Sequence, residues 1–275
     1  MRRLFFLLSL MVLGIVCLPM AQAGIVQDGL VANWSFDQST VVGDTVNDLA
    51  SNYNITMKDN PKIVPGRHGE AIEFDGTKSY VELTKMEGFG PQLNTFSLDF
   101  WIKTPKTEDW TTLFKTLNDG VTTGIGIDLN RTAKPSWLYL EGNTHFYVRG
   151  ESGNALAPEI QADIYDDKWH HIAWVVEDTA NNITQVYVDG KPEEMVMVYE
   201  QNPDTFVDFT FPVYLGAANN RGNIECFCPA VVDEFRFYTK GLSEAEVIRN
   251  MESGAAVDAY NKLPYKWGEI KSLAQ

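Results

Sequence analysis

Hydrophobic and polar residues alternate along most of this chain with a period of two. Ala32, Trp34 and Phe36 are interleaved with Asn33, Ser35 and Asp37, and Ile72 and Phe74 with Glu73 and Asp75. Phe96, Leu98, Phe100 and Ile102 alternate with Ser97, Asp99, Trp101 and Lys103, and Ile125, Ile127 and Leu129 with Gly126, Asp128 and Asn130. Successive side chains of a strand point to opposite faces, so each run predicts a strand with one face on a core. Turn-forming residues punctuate the runs, as at Asn118-Asp119-Gly120, Gly142-Asn143 and Asp189-Gly190. About a dozen short strands joined in this way predict an all-β fold, an antiparallel two-sheet β-sandwich. One short helix is expected near the C-terminus. There Ser243 and Glu246 form a capping box ahead of Val247, Ile248 and Met251, and Gly254 offers a C-cap.

The ends of the chain set the compartment. Arg2 and Arg3 precede an apolar run from Leu4 to Leu18, and Ala21-Gln22-Ala23 places small residues where a signal peptidase reads. Residues 1–23 are therefore expected to be a signal peptide cut before Gly24. The alternative is a retained anchor helix, for which the run is shorter than the ~20 apolar residues of a membrane span. Residues 24–254 form one expected domain, and residues 255–275 a tail with Tyr265 and Trp267 as aromatic anchors.

The net charge of −15 becomes −17 once Arg2 and Arg3 leave with the leader. Such a surface repels phosphate backbones and anionic membranes, which argues against a nucleic-acid partner. It is compatible with neutral sugars and Ca²⁺, and equally with a charge that only maintains solubility. Export permits a disulfide. The two cysteines beyond the leader, Cys226 and Cys228, are two residues apart, near the upper limit of bridging distance in a strand. A strained bridge and two free thiols both stay open. No second cysteine pair stands at a spacing that would make a zinc site.

Several segments, taken in order, carry a family likeness. They are Leu30-Val31-Ala32-Asn33-Trp34-Ser35-Phe36-Asp37, and Gly69-Glu70-Ala71-Ile72-Glu73-Phe74-Asp75-Gly76 with Ser79-Tyr80-Val81. Next come the aromatic run Phe96 to Lys103, and Lys168-Trp169-His170-His171-Ile172-Ala173 with Val186-Tyr187-Val188-Asp189-Gly190. The last is Val232-Asp233-Glu234-Phe235-Arg236-Phe237-Tyr238 followed by Gly241-Leu242-Ser243. Together, over roughly residues 30–253, they resemble the laminin G-like (LamG) jelly rolls of the concanavalin A-like lectin/glucanase superfamily, especially its bacterial secreted branch. The resemblance implies a jelly roll but fixes no single function, because the family includes lectins, adhesive modules, sialidase accessory domains and glucanases.

Its glucanases carry their acid and nucleophile as E-x-D-x-x-E on one strand, at the spacing a retaining glycosidase needs. Here only Glu73 has an aspartate two residues on, Asp75, and the third position is Lys78. Neither a G-x-S-x-G elbow nor H-E-x-x-H occurs. No catalytic residue is assigned, and the expected protein is not an enzyme.

Two binding sites are expected. The family often holds Ca²⁺ where its first and last strands meet, and the resemblance points to Asp233 with Asp37 and Asp48 as co-ligands of a structural ion. The pattern agrees, since Asp233 shares the register of Val231, Phe235 and Phe237, and a buried anion needs partners or a metal. The alternative is an aspartate satisfied by backbone N–H groups in a turn. The second site is a sheet face opposite the core. It takes Trp101 with Asp99, Asp128 with Asn130, then Trp137, Tyr139 and Glu141, then His145, Tyr147 and Arg149. Rings interleaved with polar groups suit sugars, unless loops or the tail cover the face. Trp110 is a separate exposed aromatic, while Trp34, Trp169 and Trp174 read as core. The expected protein is a secreted, non-catalytic, carbohydrate-binding recognition module with a structural calcium ion. A protein-binding adhesion module is the alternative, and a glycoside-active enzyme the third reading. Its partner is a glycan or an extracellular protein, it is not an integral membrane protein, and its oligomeric state is left open.

Overall fold

Each alternating run becomes a strand whose apolar side faces a slab between two antiparallel sheets. The computed structural model describes residues 24–83, 94–107, 110–116, 124–131, 143–150, 155–200, 212–220 and 222–254. One sheet has eight strands, running Lys191–Pro192, Ile183–Val188, Asp166–Asp178, Phe96–Pro105, Val231–Tyr238, Glu70–Glu73 and Lys62–Pro65. Its eighth strand, Leu30–Trp34, pairs with the second half of Val231–Tyr238, whose first half pairs with Glu70–Glu73. The other sheet has ten strands. It runs Met195–Glu200, Ala155–Ile160, Asn143–Arg149, Gly124–Arg131, Thr111–Thr116, Val213–Leu215, Tyr80–Leu83, Ile55–Lys58, Thr45–Val46 and Val41–Val42. A hairpin of Ala218–Asn220 and Asn223–Glu225 stands apart. This is the expected β-sandwich, with one helix, Glu244–Glu252, near its C-terminal end.

Aromatic rings join the sheets. Phe235 stacks on Phe100 of its own sheet at 5.1 Å and on Phe114 of the other at 5.4 Å. Trp174 meets Phe96 at 5.1 Å and, across the core, Phe146 at 5.3 Å. Such pairs add about 0.5–1.5 kcal/mol each beyond the area they bury. Trp34 and Trp174 are buried as expected, with their indole N–H groups donated to the Tyr53 carbonyl and Thr184 Oγ1. Trp169 is only half-buried; it lies opposite Lys103, just past the register shift that follows Asp166.

The last strand breaks the alternation. One extra residue between Asp233 and Arg236 shifts its register against Phe96–Pro105, and Glu234 there has φ +53°. A bulge of this kind reverses which side chains face the core. Val232, Phe235 and Phe237 enter the core, and Val231 does not. Asp233 therefore does not share the face of Phe235 and Phe237, contrary to the reading of the sequence. It is nonetheless fully buried, on the outer side of its sheet.

The helix covers that outer side. Glu246 Oε2 accepts the Ser243 N–H at 2.9 Å, as a capping box requires. Val247 packs with Val26, Ala173, Val175, Tyr238 and Leu242 in a second, smaller apolar cluster. The C-cap is Ser253, whose Oγ donates to the Arg249 carbonyl, and not Gly254. Gly254 is needed for close approach instead, since a Cβ there would lie 2.1 Å from the His68 ring.

Beneath the helix lies a polar hub without access to water. Arg236 donates from Nη1 to Asp99 Oδ1 at 2.8 Å and from Nη2 to Glu234 Oε2. Asn250 of the helix donates to Asp99 Oδ2 at 3.2 Å and to the Tyr238 hydroxyl at 2.9 Å, and accepts the Val26 N–H at 2.9 Å. His171 Nε2 stands 3.3 Å from Asp99 Oδ2. Burial alone would raise the Asp99 pKa, but His171 and Arg236 beside it hold the carboxyl below its usual range. Removing one partner of a buried ion pair costs about 3–5 kcal/mol, because the other charge stays buried. Arg236→Met is expected to lose stability on that scale in urea unfolding, and a loss under about 1 kcal/mol would contradict a hub of this kind.

Candidate functional site

The bulge brings two of the expected calcium ligands to one corner. The strands Lys62–Pro65 and Glu70–Glu73 form a hairpin closed by Gly66 N–H to Gly69 O at 3.0 Å. Its turn lies over Asp233 and Asp37. The His68 N–H donates to Asp233 Oδ2 at 2.8 Å and the Glu70 N–H to Asp37 Oδ1 at 3.0 Å. Both glycines are sterically required. A Cβ on Gly66 would lie 2.6 Å from Asp233 Oδ2, and one on Gly69 2.2 Å from Asp37 Oδ1. Asp233 Oδ1 is buried without a hydrogen-bond partner. Burial pushes the Asp233 carboxyl up to about 8; the His68 N–H opposes this, and the Glu234 and Asp37 carboxylates add to it.

Asp48 takes another role. Its Oδ1 accepts the N–H groups of Asn33 and Ala50, and its Oδ2 those of Ser51 and Tyr53. It ties the loop after the first strand to that strand, which is the backbone-satisfied alternative. A calcium ion needs six to eight oxygens. Asp37 and the partnerless oxygen of Asp233 fit one, whereas both oxygens of Asp48 are already engaged. Among the described residues no group of three or more His, Cys, Asp or Glu side chains is arranged to hold a metal, so backbone carbonyls would have to complete the shell.

The expected ligand face is divided between the two sheets. Asp99 and Trp101 lie on the outer side of the eight-stranded sheet. Trp101 is 5 % exposed, with the Arg67 guanidinium 4.7 Å from its ring and His68 and His171 against its edges. Asp128, His145, Tyr147 and Arg149 lie on the outer side of the ten-stranded sheet, so they cannot share a face with Trp101. Asn130 falls in the same strand as Asp128, but its side chain lies outside the described residues, as do Trp137, Tyr139 and Glu141. The expected tail and the expected leader also lie outside them.

That second face carries a connected polar array. His145 Nδ1 is 3.1 Å from Glu159 Oε1, and Asn143 Nδ2 donates to Glu159 Oε2 at 3.1 Å. Thr112 Oγ1 donates to Asp128 Oδ1 at 2.9 Å. The Tyr147 ring lies on Gly126, where a Cβ would fall 2.1 Å from it, and the Arg149 guanidinium is 5.7 Å from its centre. Asp128, His145 and Glu159 are all buried. Sequence reasoning missed Asn143 and Glu159. The alternation of Leu156 and Ile160 with Ala155, Ala157 and Glu159 carried the signal for Glu159.

Trp110 is exposed, as expected. Of the two alternatives for the cysteines, the structure has two free thiols. Cys226 has φ +55°, which turns the chain between them. Cys228 then lies in the core, where burial pushes its thiol up to about 12; burial, then the Glu225 and Asp128 carboxylates, also raises the half-buried Cys226 thiol, against Lys115.

A family model described as the Concanavalin A-like lectin/glucanases superfamily matches residues 75–248. Among solved structures, the binding domain of Paraclostridial Mosquitocidal Protein 1 superposes with a TM-score of 0.61 at 20% identity, over 82% of this chain and 52% of that one. Domain 4 of AbnA, a GH43 extracellular arabinanase from Geobacillus stearothermophilus, solved with arabinotriose, gives 0.58 at 21% identity over 81% of this chain and 98% of that one. The botulinum neurotoxin serotype D ligand binding domain, solved with N-acetylneuraminic acid, gives 0.61 at 12% identity, over 82% of this chain and 51% of that one. At these identities the likeness is one of fold. A curated relative, the non-toxic nonhemagglutinin of Paraclostridium bifermentans, is 28% identical over 154 residues, 54% of this chain and 12% of that protein. The chain thus spans about an eighth of that relative and about half of the two toxin domains.

The Asp233 environment makes stability depend on pH in a definite direction. The folded protein keeps this proton up to about pH 8, while the unfolded chain releases it near 3.8. Between those values the folded state binds more protons, so its stability falls as pH rises through that window and levels off above it. In EDTA, the melting temperature is expected to drop from pH 5 to pH 8.5 and to drop less in Asp233→Asn; equal slopes would contradict the assignment.

Proposed function

We propose a recognition module, starting from the family: the chain belongs to the Concanavalin A-like lectin/glucanases superfamily. In this reading it is a secreted, non-catalytic protein that recognises carbohydrate, with a structural calcium ion at its acidic corner. One observation carries the choice of binding over hydrolysis. Four of the buried carboxylates among the described residues, Asp48, Asp99, Glu159 and Glu234, serve the fold. Asp99 and Glu234 hold Arg236, Glu159 holds Asn143 and His145, and Asp48 holds four backbone N–H groups. A glycosidase needs two carboxyl groups facing each other across an open cleft, about 5–9.5 Å apart. These are instead closed off by the donors that neutralise them.

Carbohydrate is favoured as the ligand by the family and by two neighbours of the same fold, solved with arabinotriose and with N-acetylneuraminic acid. Calcium would be held by Asp37 and Asp233 with backbone carbonyls, and would supply the positive charge that two facing carboxylates lack. Export rests on the leader-like sequence of residues 1–23, with Arg2 and Arg3 ahead of the apolar run and Ala21-Gln22-Ala23 at its end. No helix of the described residues is long and apolar enough to cross a membrane.

A glycan array probed with the purified protein, in Ca²⁺ and in EDTA, is expected to give glycan signals. Silence across the array, with capture by extracellular proteins instead, would replace this reading with the adhesion module. N-terminal sequencing of the exported protein should begin at Gly24; a chain that keeps Leu4 to Leu18 would contradict secretion by cleavage.

A further inference from the structure

His170 and His171 are neighbours in one strand and take opposite faces. His171 lies opposite Trp101 and belongs to the hub, whereas His170 lies opposite Ile102 in the inward register. A carboxylate stands at each of its ring nitrogens. Asp189 Oδ2 is 2.9 Å from Nδ1, and Asp166 Oδ1 is 3.2 Å from Nε2. Regular strand geometry would bring neither there. Residues four apart in an extended strand are separated by about 13 Å, so Asp166 could not reach a ring four residues on. A bulge closes that distance: one extra residue between Asp166 and Trp169 shifts the register against Phe96–Pro105, with Asp167 at φ +59°. Asp189 arrives on a two-residue turn between the paired residues Val188 and Lys191, with φ +50° at Asp189 and +75° at Gly190. Two left-handed residues mark such a turn as type I′. Each bend thus holds an aspartate in the left-handed region, a conformation kept only where its surroundings fix it.

The protonation state follows from the geometry. A neutral imidazole has a single N–H and can donate to one carboxylate; only the imidazolium donates to both. Burial lowers the His170 pKa, but the hydrogen bonds and charges of Asp189 and Asp166 outweigh it and raise the pKa above the usual 6.5. Lys168, against burial and with His170, holds the Asp166 carboxyl down at about 2. Around this cluster, Asp163 acts on Lys168, and Lys103 of the neighbouring strand pairs with Asp167 at 3.8 Å. The helix meets the turn at Gly190 through Ile248 and Met251, which carry no charge. The two ends are not equally firm. Asp189 Oδ1 accepts the His171 N–H at 2.9 Å, and the Asp189 N–H donates to the His171 carbonyl at 2.8 Å. Asp166 leans instead on Lys168, from which it accepts both N–H and Nζ. A ring with one proton left therefore keeps it on Nδ1, toward Asp189. What the ring joins is also defined. Residues 161–165 carry the chain from the ten-stranded sheet to Asp166, and the Asp189-Gly190 turn packs on the helix.

We propose that Asp166, His170 and Asp189 form a pH-sensitive latch: the protonated ring ties the crossing between the sheets to the turn beneath the helix, and loss of its Nε2 proton frees the Asp166 end. The sign is that of a group whose pKa is raised by folding. The latch is fully closed below the unfolded value of 6.5 and opens as pH rises through the folded one. Heteronuclear NMR of the histidine ring nitrogens in the full chain, with amide hydrogen exchange across the same pH range, tests it. The His170 midpoint is expected above 6.5, with the neutral ring protonated at Nδ1. As pH passes that midpoint, the amides of residues 166–169 are expected to exchange faster than their intrinsic pH dependence. Asp166→Asn, at the surface, is expected to fold as the wild type does and to lower the midpoint by about half a pH unit or more, because an opposite charge is withdrawn. His170→Gln is expected to abolish the exchange step, which separates the latch from titration of the Asp233 carboxyl. A midpoint at or below 6.5, a midpoint unmoved by Asp166→Asn, a neutral ring protonated at Nε2, or an exchange step that survives His170→Gln would each overturn the latch.

Discussion

A guanidinium sealed away from water must be neutralised where it sits, and in this protein that requirement organises one side of the sandwich. Arg236 is fully buried between Asp99 and Glu234. Asp99 in turn engages His171 of the neighbouring strand and Asn250 of the helix, and Asn250 accepts the backbone of Val26. Three stretches of chain far apart in sequence thus converge on one carboxylate. An exposed pair such as Lys62–Glu73 is worth about 0–1 kcal/mol, whereas opening a buried one costs several times more. A buried pair gains little over a well-packed apolar core, so its use is to specify one arrangement. The helix can dock on this face in the one place where Asn250 reaches Asp99 and Tyr238.

The hub and the acidic corner share their cause. The bulge at Glu234 lets that residue reach Arg236 from two positions away, and the same bulge turns Asp233 out of the core and under the Gly66–Gly69 turn. The result is a corner with excess negative charge beside a hub in which charge is paired. The corner wants a proton or a cation, and the hub wants neither. That contrast separates the carboxylates of the proposed calcium site from those already committed to the fold. It also explains how a protein with 37 acidic residues can keep most of its buried carboxylates paired.

Much of the sandwich was legible as periodicity. Phe96, Leu98, Phe100 and Ile102 all reached the core, as did Ile125, Ile127 and Leu129, and the Ser243–Glu246 box opened the helix. The local signal stopped where the physics became non-local. Alternation states which face a residue takes and not which sheet its strand joins, so Trp101 and Tyr147 could be read as neighbours although a whole core separates them. The bulge carried no glycine to mark it, and Glu234 takes the left-handed conformation there with its carboxylate held by Arg236. Asp48 read as a metal ligand because four backbone donors leave no trace in sequence.

The central claim, binding without catalysis, is tested most directly by following both in one sample. Neutral oligosaccharides are titrated into the purified protein by calorimetry, and the recovered sugar is then weighed by mass spectrometry after prolonged incubation. The account predicts saturable heat and oligosaccharides of unchanged mass. Shortened sugars, produced in proportion to protein and time, would contradict it.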